Sequence, residues 1–408
     1  MKCRFDGSVL KNVFLDLGHC PPSNSYLTDE MLQLPEATYP LKVFVSDSIF
    51  YVQVPEYKKA IEIFNEDYAY FSSVSKSWLQ HCEKYVGDVT KRFNLSDKSF
   101  VVEVASNDGY LLQYFKERKI PCLGVEPSKS VASVAMAKGI DTEVSFFTER
   151  KASELKSAKG NADLILGNNV FAHVPDIRDF IKGLKVLLNP KGVITLEFPH
   201  LLKLISENQF DTIYHEHYSY FSLMTVNRMV SQLGLKVFDV EELKTHGGSL
   251  RIFMAHSDDA SKETTANVKK VLNDENLAGL DRMQTYLNFT QNCEKLKIDF
   301  LRFLLDAKLK NKTVAAYGAA AKGNTLMNYC GIKNDLIQFV CDRAPSKIGK
   351  FMPGSHVPIK SEESLKQSKP DYIVIFPWNI KSEIVDQLSY VRSWNAQFVT
   401  AVPKLEVF

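Results

Sequence analysis

The chain has 408 residues, 45% of them hydrophobic, and its 50 Lys+Arg against 48 Asp+Glu leave a net charge of +2. That length exceeds one ordinary core and predicts two or three domains, while the apolar content excludes long disorder. The balanced charge provides no field to recruit nucleic acid or a membrane surface, no apolar run is long enough to span a bilayer, and Asp6 and Lys11 break any secretory apolar core. Seven cysteines scattered at positions 3, 20, 82, 122, 293, 330 and 341 make no disulfide framework, so the expectation is a cytoplasmic monomer with reduced thiols and a small-molecule ligand.

Residues 1–70 hold short β-type runs at 42–45 and 50–54, separated by turn residues such as Gly18 and Pro21-Pro22, and read as a small module. From 71 to 256, apolar runs at 100–105, 122–126, 162–167, 193–198, 236–240 and 249–255 alternate with helical patterns, which predicts a parallel α/β sheet. Residues 257–408 begin with a charged, glycine-poor helical stretch and continue, from 313 onward, as a second Rossmann-like unit. No internal repeat of 20–50 residues is present.

The first candidate ligand loop follows the run at 100–105. Glu103, Ala105, Asn107, Asp108 and Gly109 lead from a strand through a turn of small residues into a helix expected to begin near Tyr110. Small residues allow close backbone approach, and a helix N-terminus offers free amides. Glu126-Pro127 ends the next strand about 20 residues on, where a carboxylate meets ribose hydroxyls in nucleotide-binding folds. The loop is not G-x-G-x-x-G and makes little provision for a pyrophosphate, so it suits S-adenosylmethionine, with Asn168-Asn169 at a third strand end completing the pocket. Phe146-Phe147 reads first as core, with Phe147 the ring to place on an adenine if one of the two stacks.

The stretch from Phe210 to Phe221 packs His215, Glu216 and His217 among Tyr214, Tyr218 and Tyr220. Imidazole, carboxylate and phenol are the groups that move protons near neutral pH, and their place after the 193–198 strand is where open α/β sheets bind ligands. A His-x-His metal pair or a self-satisfied polar loop is the plainer reading, and His215 is expected to point inward. The second loop, Tyr317-Gly318-Ala319-Ala320-Ala321-Lys322-Gly323-Asn324-Thr325, places a lysine and a threonine among small residues, which suits an anionic phosphate. It lacks the Walker A spacing. Asp342-Arg343, ending the next strand, adds a carboxylate for ribose and a guanidinium for phosphate.

Taken in order, 67–73, 103–109, Gly124-Val125-Glu126-Pro127-Ser128, 168–176, Glu197-Phe198-Pro199-His200, 210–222, His246-Gly247-Gly248-Ser249-Leu250-Arg251, 317–325 and Pro377-Trp378-Asn379 resemble the nucleotide-sugar C-methyltransferases that act on C-3 of 4-keto-6-deoxyhexoses. The resemblance covers nearly the whole chain. It implies a zinc-binding N-terminal module, a class I S-adenosylmethionine-dependent methyltransferase domain and a Rossmann-like C-terminal domain that helps hold the nucleotide-sugar, with a thymidine diphosphate carrier as the default. It further implies His217 as the base, Glu216 or Tyr214 as its orienting or enolate-stabilising partner, Tyr68 and His173 about the sugar carbonyl, and Tyr70 and His246 in the substrate site. Such a base is needed because a C–H, unlike a hydroxyl, has no lone pair to attack a methyl donor. The chain departs from the family in its cysteines. Where two Cys-x-x-Cys pairs are expected it reads Cys3-Arg4-Phe5-Asp6 and Ser46-Asp47-Ser48-Ile49, so only Cys3 survives, with His19 and Cys20 as remote stand-ins, and no zinc is expected. Two other readings stay open on the sequence: an O-methyltransferase on the same nucleotide-sugar, and a non-catalytic sensor of either ligand.

Overall fold

Val101–Val104 is buried on both faces, the mark of a strand at the centre of a covered parallel sheet. The computed structural model, which describes residues 1–63 and 71–408, places it inside a seven-stranded sheet; Tyr68 and Tyr70 lie outside the described residues. The order across that sheet is Leu235–Leu243, Ser249–His256, Leu188–Pro199, Ala162–Asn168, Val101–Val104, Cys122–Val125 and Thr142–Glu143. The chain leaves Val101–Val104 for Cys122–Val125 on one side and later returns to Ala162–Asn168 on the other. That strand end is therefore a topological switch point, where a crevice opens for a ligand.

The predicted sheet needs two corrections. The last two strands form a hairpin that joins antiparallel to Leu188–Pro199, because a short connection at 244–248 cannot make a parallel crossover. The run predicted at 193–198 is also a twelve-residue strand, extended backward through Asn189-Pro190-Lys191-Gly192. On one face, Ser75 caps the helix Lys76–Arg92 by accepting the Trp78 amide. That helix projects Trp78, His81 and Tyr85 along one side, toward the strand ends.

The N-terminal strands Asn12–Cys20, Tyr39–Val45 and Val52–Gln53 pair antiparallel, and a fourth, Ser219–Tyr220, arrives from just beyond the histidine-rich stretch. Phe14 stacks on Phe289 at 4.8 Å, so this small sheet shares one apolar core with the helix Phe289–Leu309 and the C-terminal unit. The C-terminal sheet runs Ile359–Lys360, Val340–Cys341, Val314–Tyr317, Tyr372–Ile375, Gln397–Thr400 and Glu406–Val407, parallel except at its last edge. Its switch point, at the end of Val314–Tyr317, opens onto the second predicted loop. In chain order, between the strands of these two sheets, come Ala266–Leu277, Met283–Leu287 and Phe289–Leu309, the helices expected from the charged stretch. The first of them packs Val268 and Val271 into the central core and buries Glu275, which accepts the Leu223 and Met224 amides at the start of Leu223–Gln232 as well as a hydrogen bond from His200 at 2.7 Å. Among the described residues no helix is long and apolar enough to cross a membrane, and all seven cysteines are free thiols.

Candidate active site at the strand ends

The turn after Val101–Val104 is held in left-handed backbone at Ala105 (φ 56°), Asn107 (φ 50°) and Gly109 (φ 74°). A side chain at Gly109 would run into Ile140, and one at Gly124 would strike Ser106, so both glycines let the loop lie flat on the sheet. Glu126 draws the loop across its neighbour by accepting the Asn107 and Ser128 amides, each at 2.9 Å, and keeps a second acceptor position on each oxygen. The segment after the undescribed residues closes over the loop: Ser72 donates its amide to Asn107 and the Ser73 hydroxyl meets the Asp108 carboxylate. The helix begins at Leu112, two residues past the expected Tyr110.

Glu103 is fully buried beside Tyr110, and neither of its oxygens reaches hydrogen-bond geometry; burial holds its carboxyl well above the usual range. Asp108 Oδ1, Asn168 Nδ2 and Asn169 Oδ1 are likewise buried without partners among the described residues. Such groups are costly unless a ligand completes them. They cluster where a molecule with an ammonium, a carboxylate and ribose hydroxyls would sit, so the residues present fit S-adenosylmethionine. Pro127 is half-buried at the rim. Phe147 is corrected from adenine to core, because its ring turns inward, edge-on to Phe180 at 5.5 Å and against Gly183, while Phe146 stands exposed at the surface.

A second group of side chains comes together beside this pocket. His217 Nδ1–H donates to the Thr212 carbonyl at 2.9 Å, and His173 Nδ1–H donates to the Glu216 carbonyl at 2.8 Å. The two imidazoles meet edge-to-face at 4.7 Å, with the Tyr214 ring 4.0 Å from His217 and Tyr220 at 6.0 Å. His246, in left-handed backbone (φ 54°), accepts a hydrogen bond on Nε2 from the Asn169 side chain at 3.0 Å. Burial lowers His173 and His246 to about 4, and burial together with the neighbouring His173, His246 and Lys322 pushes His217 well below its ordinary value. All three rings are therefore neutral near pH 7, and the Thr212 bond leaves the lone pair of His217 on Nε2. Glu216 does not orient His217, contrary to expectation. Its buried carboxylate takes the Asn24 amide at 2.8 Å, and the Thr212 carbonyl orients His217 instead. His215 donates to the Pro40 carbonyl at 3.2 Å between Tyr39 and Tyr57, in a structural place.

The second loop contributes unevenly. Gly318 (φ 90°) lies against Pro377, and Asp342 accepts the Ala319 and Ala344 amides, each at 2.8 Å, so this carboxylate shapes the loop itself. Tyr317 is buried with its phenol held by Gln387, and Arg343 is exposed and pairs with Glu362. Thr325 donates to the Ile213 carbonyl at 2.8 Å and so joins the two units rather than meeting a phosphate, while Asn324 accepts from Asn328 within its own helix and its Nδ2 is buried without a partner among the described residues. Lys322 alone reaches toward the histidines: its ammonium donates to Asn379 Oδ1 at 2.7 Å and lies 4.6 Å over the Trp378 ring.

A curated relative, the C-methyltransferase NovU of Streptomyces niveus, is 33% identical over 393 residues, spanning 96% of this chain and 93% of its own length. The chain belongs to the C-methyltransferase family. Family profiles match along it as "Putative zinc binding domain" over residues 3–64, "Methyltransferase domain" over 78–240 and "C-methyltransferase C-terminal domain" over 244–403. Among solved structures, an S-adenosylmethionine-dependent methyltransferase from Anabaena variabilis is similar at 17% identity and a TM-score of 0.36, covering 44% of this chain and 86% of its own. Magnesium protoporphyrin IX methyltransferase from Synechocystis, with bound S-adenosylmethionine, is similar at 14% identity and a TM-score of 0.34, covering 44% and 79%.

Behind this C-methyltransferase's site stand several residues that the sequence places in the family motifs without giving them a role. Glu197, fully buried, accepts Arg251 Nη2 at 2.6 Å and the Thr245 hydroxyl at 2.8 Å, with His81 Nε2 2.9 Å from the same carboxylate. This cluster backs the turn that carries His246, and its signal was a lone charge inside the apolar run at 193–198. The contact of Asp211 with Trp378, an indole N–H donated at 2.7 Å, had no local signal, because it depends on how the two units dock. The zinc profile also meets a donor set that does not suit the metal. Cys3 Sγ accepts from Gln53 at 3.4 Å, the Ser46 hydroxyl accepts the Tyr51 amide at 3.0 Å, Ser48 bonds to Asp6 and Ile49 is core. Cys20 packs in a different core from Cys3.

Proposed function

We propose that this C-methyltransferase transfers the methyl group to C-3 of a nucleoside-diphosphate-linked 4-keto-6-deoxyhexose, with His217 as the base. Its working parts are the module of 1–70, the donor-binding unit of 71–256 and the sugar-nucleotide unit of 257–408. The observation that carries the reading is the tautomer of His217, a neutral ring whose Nδ1–H is tied to Thr212 and whose Nε2 is left to accept a proton. A ketone at C-4 makes the C-3 proton acidic. His217 Nε2 takes that proton, and the C–H electron pair moves to form an enolate with its charge mainly on O-4. S-adenosylmethionine supplies an electrophilic methyl on sulfur, whose departure leaves a neutral thioether. His173, aimed by the Glu216 carbonyl, and Tyr214 line the same crevice and position the sugar.

The test separates this reading from an O-methyltransferase or a sensor, neither of which has reason to remove a C–H proton. Wild-type protein with a 4-keto sugar nucleotide in heavy water, without methyl donor, is expected to wash deuterium into C-3. His217→Asn, which keeps a hydrogen-bonding edge but cannot accept a proton near neutrality, should lose about 10²–10⁴-fold in both exchange and methylation. Near-normal methylation by that variant would move the base elsewhere. Loss of methylation with exchange intact would place His217 after enolate formation.

A further inference from the structure

The C-terminal loop was expected to hold a phosphate, yet its lysine is carried somewhere else. Trp378 is wedged between two turns of the methyltransferase unit. On one side it lies so close to Gly247 that a side chain there would collide with its ring; on the other its indole N–H donates to Asp211 at 2.7 Å. These are the turns that carry His246 and Thr212, and Thr212 orients His217. Lys322 rests on the face of Trp378, and the Asn379 oxygen takes one of its three N–H donors. Among the described residues its other donors have no hydrogen-bond acceptor in the protein. Burial presses the Lys322 ammonium toward losing its proton, and the fully buried carboxylate of Asp211 opposes that loss. The groups facing this ammonium are thus one carboxylate, one amide oxygen and two histidines held neutral. A cation fixed on a rigid aromatic face, close enough to bear on the proton-abstracting imidazole, is arranged to meet negative charge as it develops, rather than a phosphate already charged.

Resting on the function proposed above, we infer that Lys322 is a catalytic residue of the methyltransferase centre, donated by the C-terminal unit, whose ammonium hydrogen-bonds O-4 and stabilises the enolate. The charges balance. The C-3 proton becomes the second N–H of the His217 imidazolium, and the displaced electron pair rests on O-4 against the ammonium. When the methyl is transferred, the enolate C=C pair forms the new C-3–methyl bond as the sulfur–methyl bond breaks with its pair left on sulfur, the pair on O-4 rebuilds the carbonyl, and the imidazolium releases its proton to solvent. Lys322 itself transfers no proton; it lowers the cost of separating that charge.

Lys322→Met and Lys322→Arg decide the matter with two measurements on the full chain. The first is calorimetric binding of thymidine diphosphate alone; the second is deuterium exchange at C-3 with saturating 4-keto sugar nucleotide and no donor. Loss of one oxyanion donor typically costs about 10²–10³ in rate. The methionine variant should therefore lose at least about 100-fold in exchange at saturation and bind thymidine diphosphate within about threefold of wild type, with arginine restoring at least about tenfold of the loss. Exchange at saturation within about threefold of wild type overturns the inference; weaker nucleotide binding would then assign the lysine to phosphate. Should the methionine variant fail to fold, Asn379→Ala keeps the charge but frees it from its tether. That variant is expected to lose about tenfold in exchange, and wild-type exchange in it overturns the inference equally. Wild-type protein that exchanges no C-3 proton refutes the proposed substrate instead, and is scored before any variant.

Discussion

Replacing Glu197 by glutamine tests whether the cluster behind the His246 turn is a true buried ion pair. Hydrogen bonds from His81 and Thr245 and the charge of Arg251 outweigh burial and lower this carboxyl from an ordinary 4.5 to about 2. At about 1.4 kcal/mol for each tenfold change in proton affinity, that difference corresponds to roughly 3 kcal/mol of stability. The sign follows from the lowered folded-state value: the contribution is fully present above pH 4.5 and is lost as the pH falls toward 2, with roughly 2 of the 3 kcal/mol gone by pH 3. Glutamine cannot take part in this titration. It also leaves Arg251, itself buried, with the half-exposed Glu241 as its one remaining ionic partner among the described residues. Breaking a buried pair in this way costs about 3–5 kcal/mol. Urea unfolding of wild type and Glu197→Gln at pH 7, 5, 4 and 3 is the assay. The gap between the two proteins should be widest and constant from pH 7 to 5 and narrow by about 2 kcal/mol at pH 3. A gap that stays constant down to pH 3 would refute the ion-pair argument, because the wild-type carboxyl would then have been neutral, or unperturbed, throughout.

Glu126→Ala should weaken S-adenosylmethionine binding at least about tenfold by calorimetry, since hydrogen bonds to a charged carboxylate contribute about 1.5–3 kcal/mol; an unchanged Kd would remove Glu126 from the donor pocket. Protein purified without a histidine tag should contain far less than one equivalent of zinc by elemental analysis, and stoichiometric zinc would overturn the reading of the Cys3, Ser46 and Ser48 network. Gly318→Ala should destabilise the C-terminal unit by about 1–3 kcal/mol in thermal melts, because alanine both strains the positive φ and meets Pro377; an unaltered melting temperature would contradict that contact.

The parallel strands were legible because continuous apolar runs have few other uses, and the loop after Glu103 was legible because the backbone there needs small residues. The antiparallel hairpin ending in Ser249–His256 was not, since its runs look the same in either orientation and only the length of the link at 244–248 argued against a crossover. In the site, His217 stood out by composition, but its partner did not: Thr212 acts through a backbone carbonyl, which every residue possesses. Glu216 misled for the opposite reason. A carboxylate next to a histidine in sequence invites pairing, yet adjacent residues in a turn point apart, and Glu216 found Asn24. Lys322 was picked out for its charge, while its destination depended on Trp378, Asp211 and Gly247 meeting across two units, and no local pattern encodes such a meeting.

The strand Ser219–Tyr220 has a bearing on how the chain is made. It completes the N-terminal sheet, and Tyr51 and Ser219, which join their hydroxyls across it, are 168 positions apart in sequence. Closing so long a loop costs on the order of 4–5 kcal/mol of chain entropy, which two short strands cannot repay without the core beneath them. During synthesis, the first fifty residues therefore have to wait on the ribosome, with the edge of Val52–Gln53 open, until the histidine-rich stretch has emerged. The segment that carries His217 thus also supplies the last strand of the sheet it stands on.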